Sequence, residues 1–151
     1  MRPALARSLQ GDVFYWNVDG PVGVRGTNKA EDVMFVQWCF YKMGKWDRIP
    51  ADLRALCGKT LVNGKCSGSE DDQLVGLIKA LQRSQKGLKV DGQVTPATAE
   101  VMYNYHGTAH TYLILYLNAV LRALHPTQYP RIDLMPEFIW RTKAKATAPF
   151  I

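Results

Sequence analysis

The sequence predicts a mostly α single domain, on three observations. Apolar residues recur at helical spacing in separate stretches, each bounded by capping residues and glycines. One stretch beyond residue 108 is apolar almost all the way round, as a helix in the middle of a domain is. The 151 residues are 47% hydrophobic and 21% charged, the composition of one ordinary globular core. Such a chain buries about two thirds of the surface its unfolded form exposes, so it needs no disulfide or metal to stand.

In chain order, Gly11, Gly20, Gly23 and Gly26 break any helical period in residues 1–27 and predict a lead-in or short strand pair. Phe14, Tyr15 and Trp16 are expected to pack on the domain. A first helix is predicted over Asn28–Met43. Asn28 is its N-cap and Glu31 falls at N3; Val33, Val36, Phe40 and Met43 form one buried stripe beside Cys39, and Gly44 ends it. From Lys45 to Gly68, Pro50 and glycines 58, 64 and 68 predict a long connection with a short helical turn at Ala51–Leu56, which reads as a functional insertion.

Ser69 is expected to cap a second helix, with Asp72 at N3 and acids 70–72 against the positive end of the dipole. Leu74, Leu77, Ile78, Leu81 and Gln85 form its inner face and Gly87 ends it. Thr95-Pro96 opens a short third helix reaching about Tyr105, and a fourth runs from about Ala109 to Leu124, either as the central core helix or under a partner. Pro126, Pro130, Pro136 and Pro149 make the remainder extended. It is expected to wrap the domain through Ile132, Leu134, Phe138 and Trp140, and its last ten residues to fray.

Several function classes fall away. The net charge is +6, but the 19 basic residues are dispersed, with only Arg141, Lys143 and Lys145 clustered, so no nucleic-acid partner is expected. The longest apolar run, Tyr112–Leu117, is far short of the roughly 20 residues that span a bilayer. Met1–Leu9 carry Arg2 and Arg7 without an apolar stretch of about seven residues, so no secretory leader is expected. Cys39, Cys57 and Cys66 form no metal-ligand pattern, and a Cys57–Cys66 bridge stays open.

Glu31 with Asp32, and Glu70 with Asp71 and Asp72, are candidate carboxylate pairs for glycoside hydrolysis. Each group starts a predicted helix, where acids serve the dipole. His106 and His110 lack the Glu of a zinc-protease motif. No catalytic residue, metal or cofactor is therefore expected.

An internal repeat carries the functional expectation. Val33-x-x-Val36-Gln37 aligns with Ile78-x-x-Leu81-Gln82, and Gly44 with Gly87. Downstream, the turn-forming Asn63-Gly64 of Asn63–Ser69 matches Asp91-Gly92, each followed by a hydroxyl placed to cap a helix. With Gly87-Leu88-Lys89-Val90-Asp91-Gly92-Gln93-Val94-Thr95-Pro96-Ala97-Thr98, and with the lead-in Gly23–Val33, this pattern resembles the small helical peptidoglycan-binding domains found beside many bacterial wall hydrolases.

The resemblance covers about residues 22–105. It implies a peptidoglycan-binding-domain-like helical bundle with a lead-in (1–21), an insertion (45–62), and an extra C-terminal helix and extended tail (106–151). It further implies non-catalytic binding of peptidoglycan through its glycan or stem peptide, targeting the domain or a partner to the wall.

The candidate ligand-binding residues are Asn63, Lys65, Ser69, Asp91, Gln93, Thr95 and Thr98 on the two turns, with the backbone N–H groups at Ser69 and Thr95 free for a carboxylate. Equally open is that Ser69 and Thr95 only cap helices and Asp91 only holds its turn. Trp46, and Trp38, either stack on a sugar or anchor the fold. Two alternatives remain: a protein-interaction module, as a phage- or secretion-associated adaptor or inhibitor meeting its partner through the 109–124 helix and tail, and a wall hydrolase. Without a leader, a wall-binding role implies delivery from the cytoplasm by phage lysis or a dedicated secretion system.

Overall fold

The computed structural model describes residues 1–8, 11–97 and 112–135, a helix-rich mixed domain. Strand β1 (Arg2–Ser8) pairs antiparallel with β2 (Gly11–Asn17), from Arg2 opposite Asn17 to Ser8 opposite Gly11. The aromatic and β-branched residues of β2 favour this extended form. Tyr15 and Trp16 are buried as expected, whereas Phe14 is exposed.

The four described helices are α1 (Ala30–Met43), α2 (Ala51–Gly58), α3 (Gln73–Ser84) and α4 (Leu113–Leu124). A second, two-residue ladder joins β3 (Val22–Gly23) to β4 (Gln93–Val94). α1 lies between α2 and α4, and α4 in turn packs on β2.

The first helix starts later than its sequence suggests. Asn28 has φ +46°, outside the helix, and Lys29 is the capping position without a side-chain cap bond. Asn tolerates that left-handed backbone because its short polar side chain bonds locally. Its Oδ1 accepts from Gly23 N (2.8 Å), and its Nδ2 donates to Gly23 O (3.0 Å) and Gly26 O (3.2 Å).

Asp32, expected to serve the helix dipole, is fully buried. It accepts from the backbone N–H of Asp19 and Gly20 and lies 2.5 Å from the α-ammonium of Met1. The single predicted stripe on α1 also proves too narrow. Phe35, Gln37 and Trp38 are buried as well, because helices cover α1 on two sides.

The predicted turn in the insertion is the helix α2, which buries Leu53 and Cys57. A Cβ on Gly44 would meet the Cα of Gly58 at 2.6 Å, so the ends of α1 and α2 touch backbone to backbone. Ser69 does not cap α3. Asp72 does, accepting from Leu74 N (2.8 Å), while Ser69 Oγ donates to Asp71 Oδ1 (2.5 Å). Leu74, Leu77, Ile78 and Leu81 form the buried face of α3, joined by Gln82 rather than by the half-buried Gln85. The helix ends at Ser84, short of Gly87.

The predicted third helix lies outside the described residues from 98 onward. Of its start, Thr95–Ala97 are not helical, and the backbone N–H and C=O of Ala97 are both bonded by the Asn17 side chain (3.0 Å each).

Residues 109–111 of the predicted fourth helix are likewise outside the description. From Leu113 to Leu121 its large apolar side chains are all buried within the chain. After α4, Ile132 is a buried anchor in a 3-10 turn (Ile132–Leu134), but Leu134 is 68% exposed, the turn having rotated it outward. Phe138 and Trp140 lie outside the described residues. Cys39, Cys57 and Cys66 are all free thiols, so the open Cys57–Cys66 bridge is not formed. No described helix is long and apolar enough to cross a membrane.

The hairpin is fastened to the helices by Asn118. Fully buried on α4, it accepts from Trp16 N (2.7 Å) and Tyr129 OH (2.9 Å) and donates to Trp16 O and Ile114 O (2.8 Å each). Asn118→Leu keeps the bulk but strips both backbone groups of Trp16. Urea unfolding should show a loss of about 3 kcal/mol, and a loss below about 1 kcal/mol would mean that apolar packing alone holds the hairpin.

Candidate functional site

Two glutamines leave the buried faces of α1 and α3 and close the two turns that the repeat predicts. Gln82 Oε1 accepts from Asp91 N (3.1 Å) and Gly92 N (2.9 Å), and its Nε2 donates to Asp91 Oδ1 (2.9 Å) and Gln93 O (3.0 Å). Gln37 repeats the pattern. Its Oε1 accepts from Asn63 N (3.0 Å) and Gly64 N (2.8 Å), and its Nε2 donates to Asn63 Oδ1 (3.0 Å) and Lys65 O (3.1 Å).

In each turn the Asn or Asp oxygen also accepts the N–H two residues on, from Lys65 and from Gln93 (2.9 Å each). The middle residues, Gly64 and Gly92, have φ +74° and +72°, which glycine adopts without a Cβ penalty. The aligned pairs therefore share one hydrogen-bond geometry, although 26 residues separate Gln37 from Asn63 and only nine separate Gln82 from Asp91. The insertion with α2 occupies the difference.

Beside the first turn lies a groove of about 260 Å³. Its polar lining is Gln37, Thr60, Asn63 and Lys65 on one side and Asp72 and Gln73 at the start of α3 on the other, over Leu61, Leu74 and Leu77. Burial alone would raise the Asp72 pKa. The N–H groups of Ser67 and Leu74 and the Ser67 hydroxyl donate to its carboxylate, outweigh that, and hold it below the usual range. Its charge is thus spent on organising residues 67–74. Thr60 is 8% exposed, and its hydroxyl has no hydrogen-bond partner.

The nominated residues separate into distinct roles. Asn63 and Lys65 line the groove, Lys65 with an exposed side chain. Ser69 is exposed on the loop leading to α3 and is not among the groove's lining residues. Asp91 is turned inward to Gln82, and the Gln93 side-chain amide donates to Val24 O, so these two hold the second turn together. Thr95 is half-buried, and Thr98 lies outside the described residues.

Trp46 is half-buried against Tyr116, ring centroids 6.1 Å apart, on the core side of the insertion and away from the groove. Trp38 is buried and stacks on His125. Thr60 and Gln73 lie in no motif and carry no signal in the sequence. Gln37 and Gln82 were visible as repeat markers, and their position straight after an apolar helical stripe was the available signal.

Fold and site together define a helix-rich domain built on a duplicated, glutamine-clasped turn. No protein-family model matches the chain, and no match exists among the curated proteins or the solved structures searched.

The copies differ in charge, and two variants expose it. Gln82→Glu sets a carboxylate against Asp91, while Gln37→Glu meets only the neutral Asn63. At pH 7 Gln82→Glu should be the more destabilising, by about 1–2 kcal/mol beyond Gln37→Glu. Because the like charge raises the folded-state pKa of the new acid, its penalty should fade as pH drops through that pKa, which melting at pH 7 and pH 4.5 checks. For Asp72 the sign is opposite. Its depressed pKa contributes stability above its unfolded value of 3.8 and loses it as pH falls through the folded value. Asp72→Ala should therefore cost about 1 kcal/mol at pH 7, and the gap from the parent should close below pH 3.8 in acid titration of the fold.

Proposed function

We propose that this domain recognises bacterial peptidoglycan without cleaving it, and that its fold is that of the peptidoglycan-binding domains. The observation that carries the reading is the duplicated clasp: the Gln-to-Asx-Gly pairing falls in both copies of the sequence repeat on which the resemblance rests. The glutamines fix the turns rigidly, and rigid polar turns lose little conformational freedom when a ligand binds. The ligand is held by hydrogen bonds from the first turn and the start of α3, with the net charge of +6 drawing the domain to the anionic wall.

In each candidate carboxylate group at least one acid is engaged in the fold. Asp32 is buried in its own hydrogen bonds, and Asp72 caps α3. An adaptor role through α4 has little support in that helix, whose large apolar residues from Leu113 to Leu121 are enclosed.

Co-sedimentation of the purified protein with insoluble sacculi tests the reading. Saturable binding that survives 0.3 M salt, with no muropeptide released, is expected. Lys65→Ala should weaken it about three- to tenfold without changing the melting temperature. No binding, or binding abolished by salt, overturns the proposal, and release of muropeptides replaces it with a hydrolase.

A further inference from the structure

We propose that Asp19, Asn63 and Asp91 are sites of spontaneous succinimide chemistry, and that Asp32, Gln37 and Gln82 hold them inert in the folded protein. This does not depend on what the domain binds. An Asn or Asp directly precedes a glycine three times in the sequence, at Asp19-Gly20, Asn63-Gly64 and Asp91-Gly92. Each time the glycine is buried, and its N–H is donated to a side-chain oxygen brought from elsewhere in the chain. Gly20 N donates to Asp32 Oδ2 (3.1 Å), Gly64 N to Gln37 Oε1 (2.8 Å) and Gly92 N to Gln82 Oε1 (2.9 Å).

The chemistry that these bonds oppose is intramolecular. At Asn63 the peptide nitrogen of Gly64 gives up its proton and bonds to the side-chain Cγ, and Nδ2 leaves as ammonia. Water then opens the succinimide ring at one of its two carbonyls, leaving aspartate or, with the main chain rerouted through Cβ, isoaspartate. At Asp19 and Asp91 the side chain loses water and regains it, so the net change is isomerisation. Glycine permits this ring closure most readily, because it has no Cβ to obstruct it. The attacking nitrogen is in each case the one whose proton the acceptor holds.

Both reacting partners are restrained. The shared proton is shut away from hydroxide, and a carboxamide or carboxylate is far too weak a base to remove it. Asn63 itself is exposed, so burial of its side chain is not what protects it. Its Oδ1 instead accepts from Lys65 N and Gln37 Nε2, as Asp91 Oδ1 does from Gln93 N and Gln82 Nε2. The Asp19 carboxylate is paired with the Met1 ammonium (2.6 Å) and Arg2 Nη1 (3.0 Å). Ring closure therefore has to break buried hydrogen bonds. At the two turns the hazard cannot be substituted away, because the positive φ of Gly64 and Gly92 demands glycine and the Asn or Asp oxygen closes the turn. The glutamine that completes each turn also disarms it.

The test follows deamidation and isoaspartate site by site, by peptide mass mapping of the full chain aged for weeks at near-neutral pH, folded and in guanidinium. In the folded parent each site should react about tenfold or more slowly than in guanidinium. Gln37→Met keeps the side-chain length but loses the bonds to the turn. It should speed reaction at Asn63 about fivefold or more while Asp91 keeps the parent rate, and Gln82→Met should do the reverse. Gln37→Glu, which still offers an oxygen to Gly64 N, should restore most of the protection at Asn63.

Equal rates at Asn63 in the folded and unfolded parent overturn the proposal, and that comparison needs no variant to fold. If Gln37→Met raises Asn63 and Asp91 in the same proportion, or raises neither, the proposal also falls, since protection then comes from the fold as a whole and not from the clasp.

Discussion

A side-chain amide that donates and accepts at once is the interaction on which the rest of this protein depends. The carboxamide of Asn or Gln offers the same donor and acceptor as a peptide group, so one side chain can pair with backbone as a strand would. Five positions use it so. Asn17 takes both backbone groups of Ala97, Asn28 those of Gly23 and Asn118 those of Trp16, while Gln37 and Gln82 close the two turns. Among the described residues, the only ladder beyond the hairpin is the two-residue pair β3–β4. Irregular segments therefore enter the interior because amides satisfy polar groups that a sheet would otherwise have to pair.

That reliance explains what could be read from the sequence and what could not. Helix existence was legible, since stripes such as Val33–Val36–Phe40 and Leu74–Leu77–Leu81 report burial directly. Helix starts were not. Asn28 and Ser69 have the right chemistry for caps, but Asn28 is drawn into clasping Gly23, and Asp72 reaches Leu74 N in place of Ser69. Capping residues compete locally, and tertiary contacts decide among them.

At the candidate site the repeat was visible as Gln37 with Asn63-Gly64 and Gln82 with Asp91-Gly92. Of the two roles open to Asp91, the one the geometry displays is the turn: its carboxylate is held by Gln82 and by the N–H of Gln93. Thr60, which has no motif around it, lines the groove. A threonine inside an insertion becomes informative only once its burial and its missing partner are known.

The insertion has an architectural effect beyond length. Two turns with the same internal bonds would ordinarily present two equivalent surfaces, but α2 docks through the close approach of Gly44 and Gly58 and reshapes one of them. Duplication supplies a stable frame twice, and a single added helix makes one copy different. The asymmetry needs no change in the clasp, so the bonds that hold the turns and the residues that line the groove are largely separate.

The free thiols give the molecule a built-in gauge of its own opening. Burial pushes the Cys39 thiol well above its ordinary pKa and that of Cys57 up to about 11, so neither holds an appreciable thiolate at neutral pH. Cys66, half-buried on the loop before α3, is the more accessible of the three. A thiol reagent thus meets the three sites on two clocks: the loop at Cys66 reports local breathing, while Cys39 and Cys57 stay silent until α1 and α2 part. The chain records the order in which it comes undone without any added label.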